Sequence, residues 1–326
     1  MSRLVTIFGG SGFVGRYIAR RMAKEGWRVR VAVRRPNEAL FVRTYGAVGQ
    51  VEPVLCNIRD DASVRAALAG GDAVVNCVGT FDKGGRNNFR AVQVDGAARV
   101  ARLAAAEGIT SLVHLSAIGA DTASESAYCR TKAEGEAAVL EVFPGAMILR
   151  PSVIFGPEDQ FFNRFAGMSR FGPVLPLVGA NTRFQPVYVD DVARAAVLGV
   201  TEKVAGVFEL GGPDIDTFRG LMRSMLAVIN RRRLIVNMAF WKARILAWIC
   251  DMAQIISGGL MHNSLLTRDQ VKSLRHDNVV APGARDLSDL GIVATPFGAV
   301  LPGYLWRFRP SGQYDAIKAS AKNLRT

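Results

Sequence analysis

One glycine-rich stretch near the N-terminus constrains the fold more than any other part of the sequence. The apolar, β-branched run Leu4–Phe8 ends in three glycines, Gly9, Gly12 and Gly15, with the spacing G-x-x-G-x-x-G. Apolar residues at helical spacing follow at once, which predicts a strand, a tight turn and a helix. Gly9 permits the turn, Gly12 lets the backbone approach a pyrophosphate, and Gly15 lets the helix lie close to the sheet. The sequence therefore predicts a dinucleotide at the helix N-terminus.

Strand and helix patterns then alternate along the first half of the chain. Strands are predicted at 28–33, 51–58, 72–79, 111–116 and 146–150, with helical patterns between them. This alternation predicts an α/β fold, namely a Rossmann-type doubly wound parallel sheet with a smaller C-terminal-weighted α/β region. We expect a nucleotide-binding domain over 1–155, a smaller domain with amphipathic helices over 156–305, and a basic extended tail over 306–326. Asp190 and Asp191 are predicted to cap a helix over 192–200.

The end of the second predicted strand indicates the type of nucleotide. An acidic residue at this position would bind the ribose 2′-hydroxyl of NAD, whereas arginine accommodates a 2′-phosphate. The sequence has Arg34 and Arg35 there. This favours NADP(H); the alternative is an exposed basic turn.

A second motif follows the fifth predicted strand, which carries Ser116. Tyr128 and Lys132 are four residues apart, so their side chains share one helix face. A lysine in this position can lower the pKa of the phenol and hold a nicotinamide ribose.

Positive charge is concentrated in the last third of the chain. Residues 1–218 contain 25 Lys and Arg against 22 Asp and Glu, whereas residues 219–326 contain 16 against 6. This pattern indicates either a solvated basic face or a surface for an anionic partner, which could be acidic protein, lipid headgroups or nucleic acid. No nucleic-acid recognition motif accompanies the charge, so we expect no nucleic-acid partner.

The same region contains a predicted helix over 238–256. Trp241, Ile245 and Trp248 fall on one face and Arg244 on another, and the run is too charged to span a membrane. The helix either closes the smaller domain or lies at a membrane surface or partner.

Cysteine and histidine usage argues against a metal site. Cys56, Cys77, Cys129 and Cys250 lack C-x-x-C spacing, and we interpret them as small buried hydrophobes in a reducing compartment. The three histidines, His114, His262 and His276, have no metal-type spacing, so we expect no metal. No leader pattern precedes the first strand, which suggests a bacterial cytoplasmic chain or a processed one.

Several of these segments resemble known families. The glycine motif, the Tyr128–Lys132 pair and residues 188–192 resemble the extended or atypical short-chain dehydrogenase/reductase superfamily. Segments 150–166, 170–173, 185–189, 266–271 and 289–296 resemble the nucleotide-binding accessory subunits of respiratory complex I, the proton-pumping NADH:ubiquinone oxidoreductase, in particular an α-proteobacterial counterpart of the mitochondrial subunit. The resemblance covers nearly the whole chain and weakens after about residue 300.

The resemblance implies a tightly bound NADPH that does not turn over. It also implies a peripheral position on the cytoplasmic side of the bacterial inner membrane, equivalent to the mitochondrial matrix side, near the quinone-binding module. The basic and amphipathic C-terminal region would then face other complex I subunits, the membrane surface or anionic lipid. The predicted nucleotide-binding residues are Gly9, Ser11, Gly12, Phe13, Val14, Gly15, Arg34, Arg35, Asn57, Ile58, Val78, Gly79, Ser116, Lys132, Pro151 and Val153.

One position argues against catalysis. Active relatives have a Ser or Thr two residues after the position of Ser116, where this chain has Ile118. Loss of one such hydrogen-bond donor costs on the order of a hundred- to a thousandfold in rate. We therefore expect Tyr128 and Lys132 to be vestigial for catalysis, with Lys132 holding the ribose. An active NADP-dependent reductase or epimerase on a hydrophobic substrate is the main alternative, and a redox sensor is a third possibility.

Overall fold

A computed structural model describes residues 3–81, 84–256 and 267–314. The chain forms two compact units, both discontinuous in sequence. The first unit comprises the chain up to Ser152 together with Val189–Gly211 and Val280–Ala294, and the second comprises Val153–Tyr188, Gly212–Val279 and the chain from Thr295. The division differs from the contiguous boundaries expected from the sequence because later segments return to the first unit.

The strands and helices follow the predicted alternation with small shifts of their ends. In the part of the chain that the structure describes, the strands are β1 (Leu4–Phe8), β2 (Arg28–Val33), β3 (Val51–Leu55), β4 (Ala73–Asn76), β5 (Ser111–Leu115), β6 (Met147–Pro151), β7 (Ile154–Phe155), β8 (Val174–Val178), β9 (Arg183–Phe184), β10 (Val187–Tyr188), β11 (Gly206–Leu210), β12 (Asp216–Thr217) and β13 (Leu234–Met238). The helices are α1 (Phe13–Lys24), α2 (Asp61–Leu68), α3 (Asp95–Ala106), α4 (Ala127–Val142), α5 (Phe162–Met168), α6 (Val189–Thr201), α7 (Phe218–Val228), α8 (Phe240–Ile256), α9 (Arg268–Ser273) and α10 (Phe297–Leu305). None of these helices is both long and apolar enough to cross a membrane.

The first unit is built on one parallel sheet of seven strands. Their order is β3-β2-β1-β4-β5-β6-β11, and every neighbouring pair is parallel. All five residues of β1 are buried, as expected for a central strand covered on both faces. The chain order reverses beside β1, which is where open α/β sheets bind ligands. The predicted Rossmann-type doubly wound fold is confirmed.

Asp190 and Asp191 lie inside α6, which begins at Val189, so the predicted capping role is wrong. Arg21 of α1 donates two hydrogen bonds to the Asp190 carboxylate, at 2.6 and 2.5 Å. Asp190 therefore ties α6 to α1 through an ion pair, and Asp191 is buried in the same turn.

The described residues of the second unit form an aromatic core and three two-stranded sheets. The pairs are β7 with β10, β8 with β13, and β9 with β12, of which only the last is antiparallel. The rings of Phe161, Phe184 and Phe218 lie within 6 Å of one another between their centroids. The aromatic core packs the short sheets against α5 and α7.

The start of the C-terminal tail differs from the expected extended form. Trp306–Phe308 and Gly312–Tyr314 are short 3₁₀ turns. The Arg309 Nε donates to the Val228 carbonyl at 2.9 Å, which holds this segment on the second unit. Residues 315–326 lie outside the described part of the chain.

Candidate nucleotide site

The turn after β1 has the geometry that the glycine spacing requires. Gly9 has a φ of +75°, a conformation that L-residues rarely adopt. A Cβ on Gly15 would lie 2.4 Å from the Gly9 carbonyl oxygen. The first turn of α1 therefore packs directly on the glycine turn, whereas the sequence predicted that Gly15 approaches the sheet.

The N-terminus of α1 is suited to an anion. Gly12 is the N-cap residue, no side chain of a described residue caps the helix, and its first turn has no acidic residue. Its first backbone N–H groups can therefore donate to a phosphate. The sequence did not indicate the part played by Arg16, whose guanidinium donates to the carbonyls of Ser11 at 3.0 Å and Gly12 at 3.3 Å. Arg16 thus fixes the turn from the following helix.

The two arginines after β2 differ in their surroundings. Both are exposed, but the Arg35 guanidinium forms an ion pair with Glu38 at 3.0 Å. Arg34 has no such pair among the described residues. Arg34 is therefore the better placed of the two to receive a 2′-phosphate.

The remaining predicted residues follow the carboxyl ends of neighbouring strands. Asn57 and Ile58 come after β3, Val78 and Gly79 after β4, and Ser116 after β5, while Pro151 ends β6. Since parallel strands have their carboxyl ends at one edge of a sheet, these residues share that edge with the glycine turn. Val153 belongs to the second unit, and its N–H donates to the Asn278 side chain at 3.0 Å.

Lys132 is buried and points toward the end of β5. Its Nζ donates to the Leu115 carbonyl at 3.0 Å. Burial lowers the pKa of Lys132 to about 8, although the Glu136 carboxylate acts in the opposite direction. A Cβ on Gly79 would lie 3.9 Å from this ammonium group, so the strand end after β4 and Lys132 face each other.

Tyr128 lies one helical turn before Lys132 in an aromatic environment. Its ring stacks on Phe81 with 5.4 Å between centroids and meets Phe89 edge-on. Burial raises the pKa of Tyr128 above its ordinary value, and Cys129 adds to the shift. The expectation that Lys132 lowers this pKa is therefore wrong: the ammonium group is 6.0 Å from the ring centroid, while burial disfavours the phenolate.

Two buried polar atoms near the same strand ends lack a hydrogen bond within the described residues. Ser116 Oγ and His114 Nε2 are buried and have no hydrogen-bond partner among the described residues. His114 Nδ1 lies 3.2 Å from the Asn76 side-chain nitrogen, and burial lowers the pKa of His114 to about 3, so its ring is neutral. Because unpaired buried hydroxyls are costly, the Ser116 hydroxyl is a candidate to bind a ligand. Ile118 is buried and offers no such group.

An unforeseen π-helical segment, Arg90–Val94, supports α4. The Gln93 amide donates to the Thr80 carbonyl at 2.9 Å and accepts from the Thr131 hydroxyl at 2.8 Å. A Cβ on Gly135 would lie only 2.1 Å from the Gln93 carbonyl. These contacts fix the helix that carries Tyr128 and Lys132 against the segment after β4.

The cysteines agree only in part with their interpretation as small buried hydrophobes. Cys56 is buried, but Cys77 and Cys129 are half-buried, and burial raises the pKa of Cys77 to about 12. His276 is exposed. His262 and the Cys250 side chain lie outside the described residues, within which no group of three or more His, Cys, Asp or Glu could hold a metal ion.

A second surface of interest lies on α8. Ala243 and Ala247 form its buried face, whereas Trp241, Ile245 and Trp248 are about half exposed. The tryptophans therefore do not close the core of this unit. Arg244 lines a cavity with these three side chains, so its predicted placement on another face is wrong.

Sequence comparison identifies relatives along the chain. Residues 5–211 match the NAD dependent epimerase/dehydratase family. "NADH dehydrogenase [ubiquinone] 1 alpha subcomplex subunit 9, mitochondrial" of Arabidopsis thaliana is 31% identical over 98% of this chain and 81% of its own length. A ceramide reductase of Caulobacter vibrioides is 30% identical over 72% of this chain and 73% of its own.

Structural comparison agrees with the fold. The NAD complex of dTDP-glucose 4,6-dehydratase from Bacillus anthracis has a TM-score of 0.70 to this chain at 14% identity. The similarity covers 93% of this chain and 96% of the dehydratase chain. At this identity the similarity shows a common fold only.

Proposed function

This chain belongs to the NAD dependent epimerase/dehydratase family, and within that family we propose that it is a non-catalytic, NADPH-binding accessory subunit of proton-pumping NADH:quinone oxidoreductase, respiratory complex I. The observation that carries the proposal is its similarity to a complex I subunit over 98% of its length. In this role the subunit supports assembly and stability of the complex near the quinone site.

The site fits a bound NADPH. The start of α1 would receive the pyrophosphate, and Arg34, which has no ion pair among the described residues, would receive the 2′-phosphate. The Ser116 hydroxyl and Lys132 ammonium group would hydrogen-bond the nicotinamide riboside. NADPH supplies a hydride in active members of such families. Here it would stabilise the fold, by roughly 3–4 kcal/mol at about 100 to 1,000 times its Kd.

The side chains at two positions, Ile118 and Tyr128, support the absence of turnover. Ile118 occupies the position of the second hydroxyl donor and is buried, with its N–H donating to the Pro151 carbonyl at 3.0 Å. It cannot polarise a substrate carbonyl. The raised pKa of Tyr128 is a further obstacle to its acting as a proton donor near neutral pH, because a weaker acid donates less readily.

The second unit would face the membrane surface and neighbouring subunits. Half-exposed Trp241 and Trp248 beside Arg244 are typical of a helix in the membrane interface. We assign the chain to the cytoplasmic side of a bacterial inner membrane, as a peripheral subunit near the quinone-binding module.

Purification from native membranes tests this proposal. A tagged chain should elute from mild detergent with NADH:quinone oxidoreductase activity and close to stoichiometric NADPH. Deletion of its gene should lower the amount of assembled complex. Elution as a free protein, together with normal assembly in the deletion strain, would refute the proposal.

The ceramide reductase similarity favours one other function, an NADP-dependent reductase of a hydrophobic substrate. Tyr128 and Lys132 are both present and share one face of α4. Tyr128→Phe separates the two functions. Unchanged complex I assembly and unchanged growth favour the structural subunit, whereas loss of an NADPH-dependent reduction favours the enzyme.

A further inference from the structure

Five arginines surround one open cavity in the second unit. Arg219 and Arg223 project from α7, while Arg231, Arg232 and Arg233 form the connection from α7 to β13. The cavity has a volume of about 400 Å³. No acidic side chain lines it among the described residues.

The charge of this cluster is not neutralised within the described part of the chain. None of the five arginines forms an ion pair there, and three of them donate instead to carbonyls that carry no net charge. Arg231 donates to Phe308 at 2.9 Å, Arg233 to Ser169 at 2.7 Å and Arg219 to Ile235 at 3.5 Å. Burial lowers the pKa of Arg231, and the charge of Arg233 contributes, which is consistent with mutual repulsion. Such a cluster favours an anion, and guanidinium groups match phosphate oxygens well.

An exposed apolar strip lies beside the cluster. Leu234 is 65% exposed and Val236 42% exposed, and both side chains point from the same face of β13 because they are two residues apart. Leu234 pairs in register with Val174 of β8, which is also exposed. A soluble phosphate would leave this strip in water. A phosphate attached to an acyl chain would cover it.

We propose that the arginine cavity binds the phosphate headgroup of an anionic phospholipid, with the strip Val174, Leu234 and Val236 against its glycerol and upper acyl region. The inference rests on the proposed location at the membrane surface and adds a defined binding site for anionic lipid to it. The guanidinium groups fixed by carbonyls define the headgroup position, and the exposed Arg223 and Arg232 contribute charge around it.

Vesicle binding by the purified full-length chain tests the charge. Wild-type protein should bind vesicles of 70:30 phosphatidylcholine and phosphatidylglycerol more tightly than vesicles of phosphatidylcholine alone. Each arginine removed should lower the affinity for these vesicles roughly fivefold, so the Arg223→Gln/Arg232→Gln variant should bind them about 25-fold more weakly. The matched control Arg20→Gln/Arg43→Gln removes the same charge from exposed positions of the first unit. Equal binding by the two variants would overturn the proposal.

Two further arms distinguish lipid from free phosphate. Leu234→Ser/Val236→Ser keeps the charge and should still weaken binding to the phosphatidylglycerol vesicles. Glycerol 3-phosphate, the soluble headgroup fragment, should compete poorly; full displacement at millimolar concentration would assign the cavity to a soluble phosphate and refute the lipid. Co-elution with complex I is measured separately from vesicle binding. If wild type co-elutes with complex I but does not prefer the phosphatidylglycerol vesicles, the lipid site is refuted and the proposed function stands; if wild type does not co-elute, the proposed function fails.

Discussion

The Lys132 ammonium group donates to the Leu115 carbonyl at 3.0 Å, across 17 positions of the chain. The contact joins α4 to the carboxyl end of β5 and fixes the charged atom where the predicted nicotinamide ribose would lie. Burial of this ammonium group opposes its charge and lowers its pKa to about 8, from 10.5. The geometry that prepares a ligand contact therefore has a cost in stability while no ligand is bound.

This cost predicts a pH dependence of the nucleotide-free protein. Since the pKa of Lys132 is lower in the folded chain, the unfolded chain binds more protons between about pH 8 and 10.5. The contribution of Lys132 to the free energy of unfolding should therefore rise with pH across this window, by about 3 kcal/mol in total.

Urea unfolding of wild type and Lys132→Gln at several values from pH 7 to 10.5 measures this effect. The free energy of unfolding of wild type minus that of the variant should increase with pH. Lys24→Gln, at an exposed position of α1, is the control and should give a nearly constant difference. If the difference in free energy of unfolding between wild type and Lys132→Gln also stays constant with pH, the pKa of Lys132 is not lowered in the folded chain.

Gly15→Ala should disrupt the nucleotide site from within α1. The new Cβ would lie 2.4 Å from the Gly9 carbonyl oxygen, so the helix start must move away from the turn. We expect a loss of about 1–3 kcal/mol in stability and release of NADPH, read from urea unfolding and nucleotide fluorescence. Gly145→Ala is the control, because a Cβ on Gly145 would have no other described atom within 4 Å. Equal effects of the two substitutions would argue against close packing at the turn.

Arg34 and Arg35 should contribute unequally to nucleotide selectivity. Arg35 already pairs with Glu38, whereas Arg34 has no ion pair among the described residues. Arg34→Ser should weaken the binding of NADPH by about 1.5–3 kcal/mol, the range for a hydrogen bond to a charged group, and should leave the binding of NADH nearly unchanged. Arg35→Ser should have a smaller effect. Calorimetric titration measures the Kd of each nucleotide for wild type and both variants. An equal loss of affinity for NADH and NADPH would exclude a 2′-phosphate contact.

The local patterns predicted the sheet well because they are determined within short segments. Buried β-branched runs specify the strands, and the glycine spacing specifies the turn before α1. The tryptophans of α8 show the limit of such patterns. Helical spacing places Trp241 and Trp248 on one face but does not say whether that face is covered, and here the small residue Ala247 packs inward instead.

Contacts between distant segments could not be predicted in the same way. The ion pair of Arg21 with Asp190 spans 169 positions, so no local pattern specifies it. The raised pKa of Tyr128 has the same origin, because burial by Phe81 and other neighbours depends on the packed structure. Spacing alone places Lys132 beside the ring but gives no information on burial.

Arg150 and Glu136 provide the last prediction, a buried ion pair beside the Lys132 site. Arg150 donates to both Glu136 oxygens, at distances of 2.6 to 3.1 Å, and Glu136 is almost fully buried. Arg150→Met should cost about 3–5 kcal/mol in urea unfolding, because it leaves a buried carboxylate unpaired. Arg150→Met/Glu136→Leu should recover only part of this loss, because the Glu209 carboxylate, 3.6 Å from the Arg150 guanidinium, loses that partner as well. The exposed pair of Arg90 and Glu134 is the control, and Arg90→Met should cost less than about 1 kcal/mol. Similar losses for the two single variants, or no recovery in the double variant, would show that burial does not set the strength of this pair.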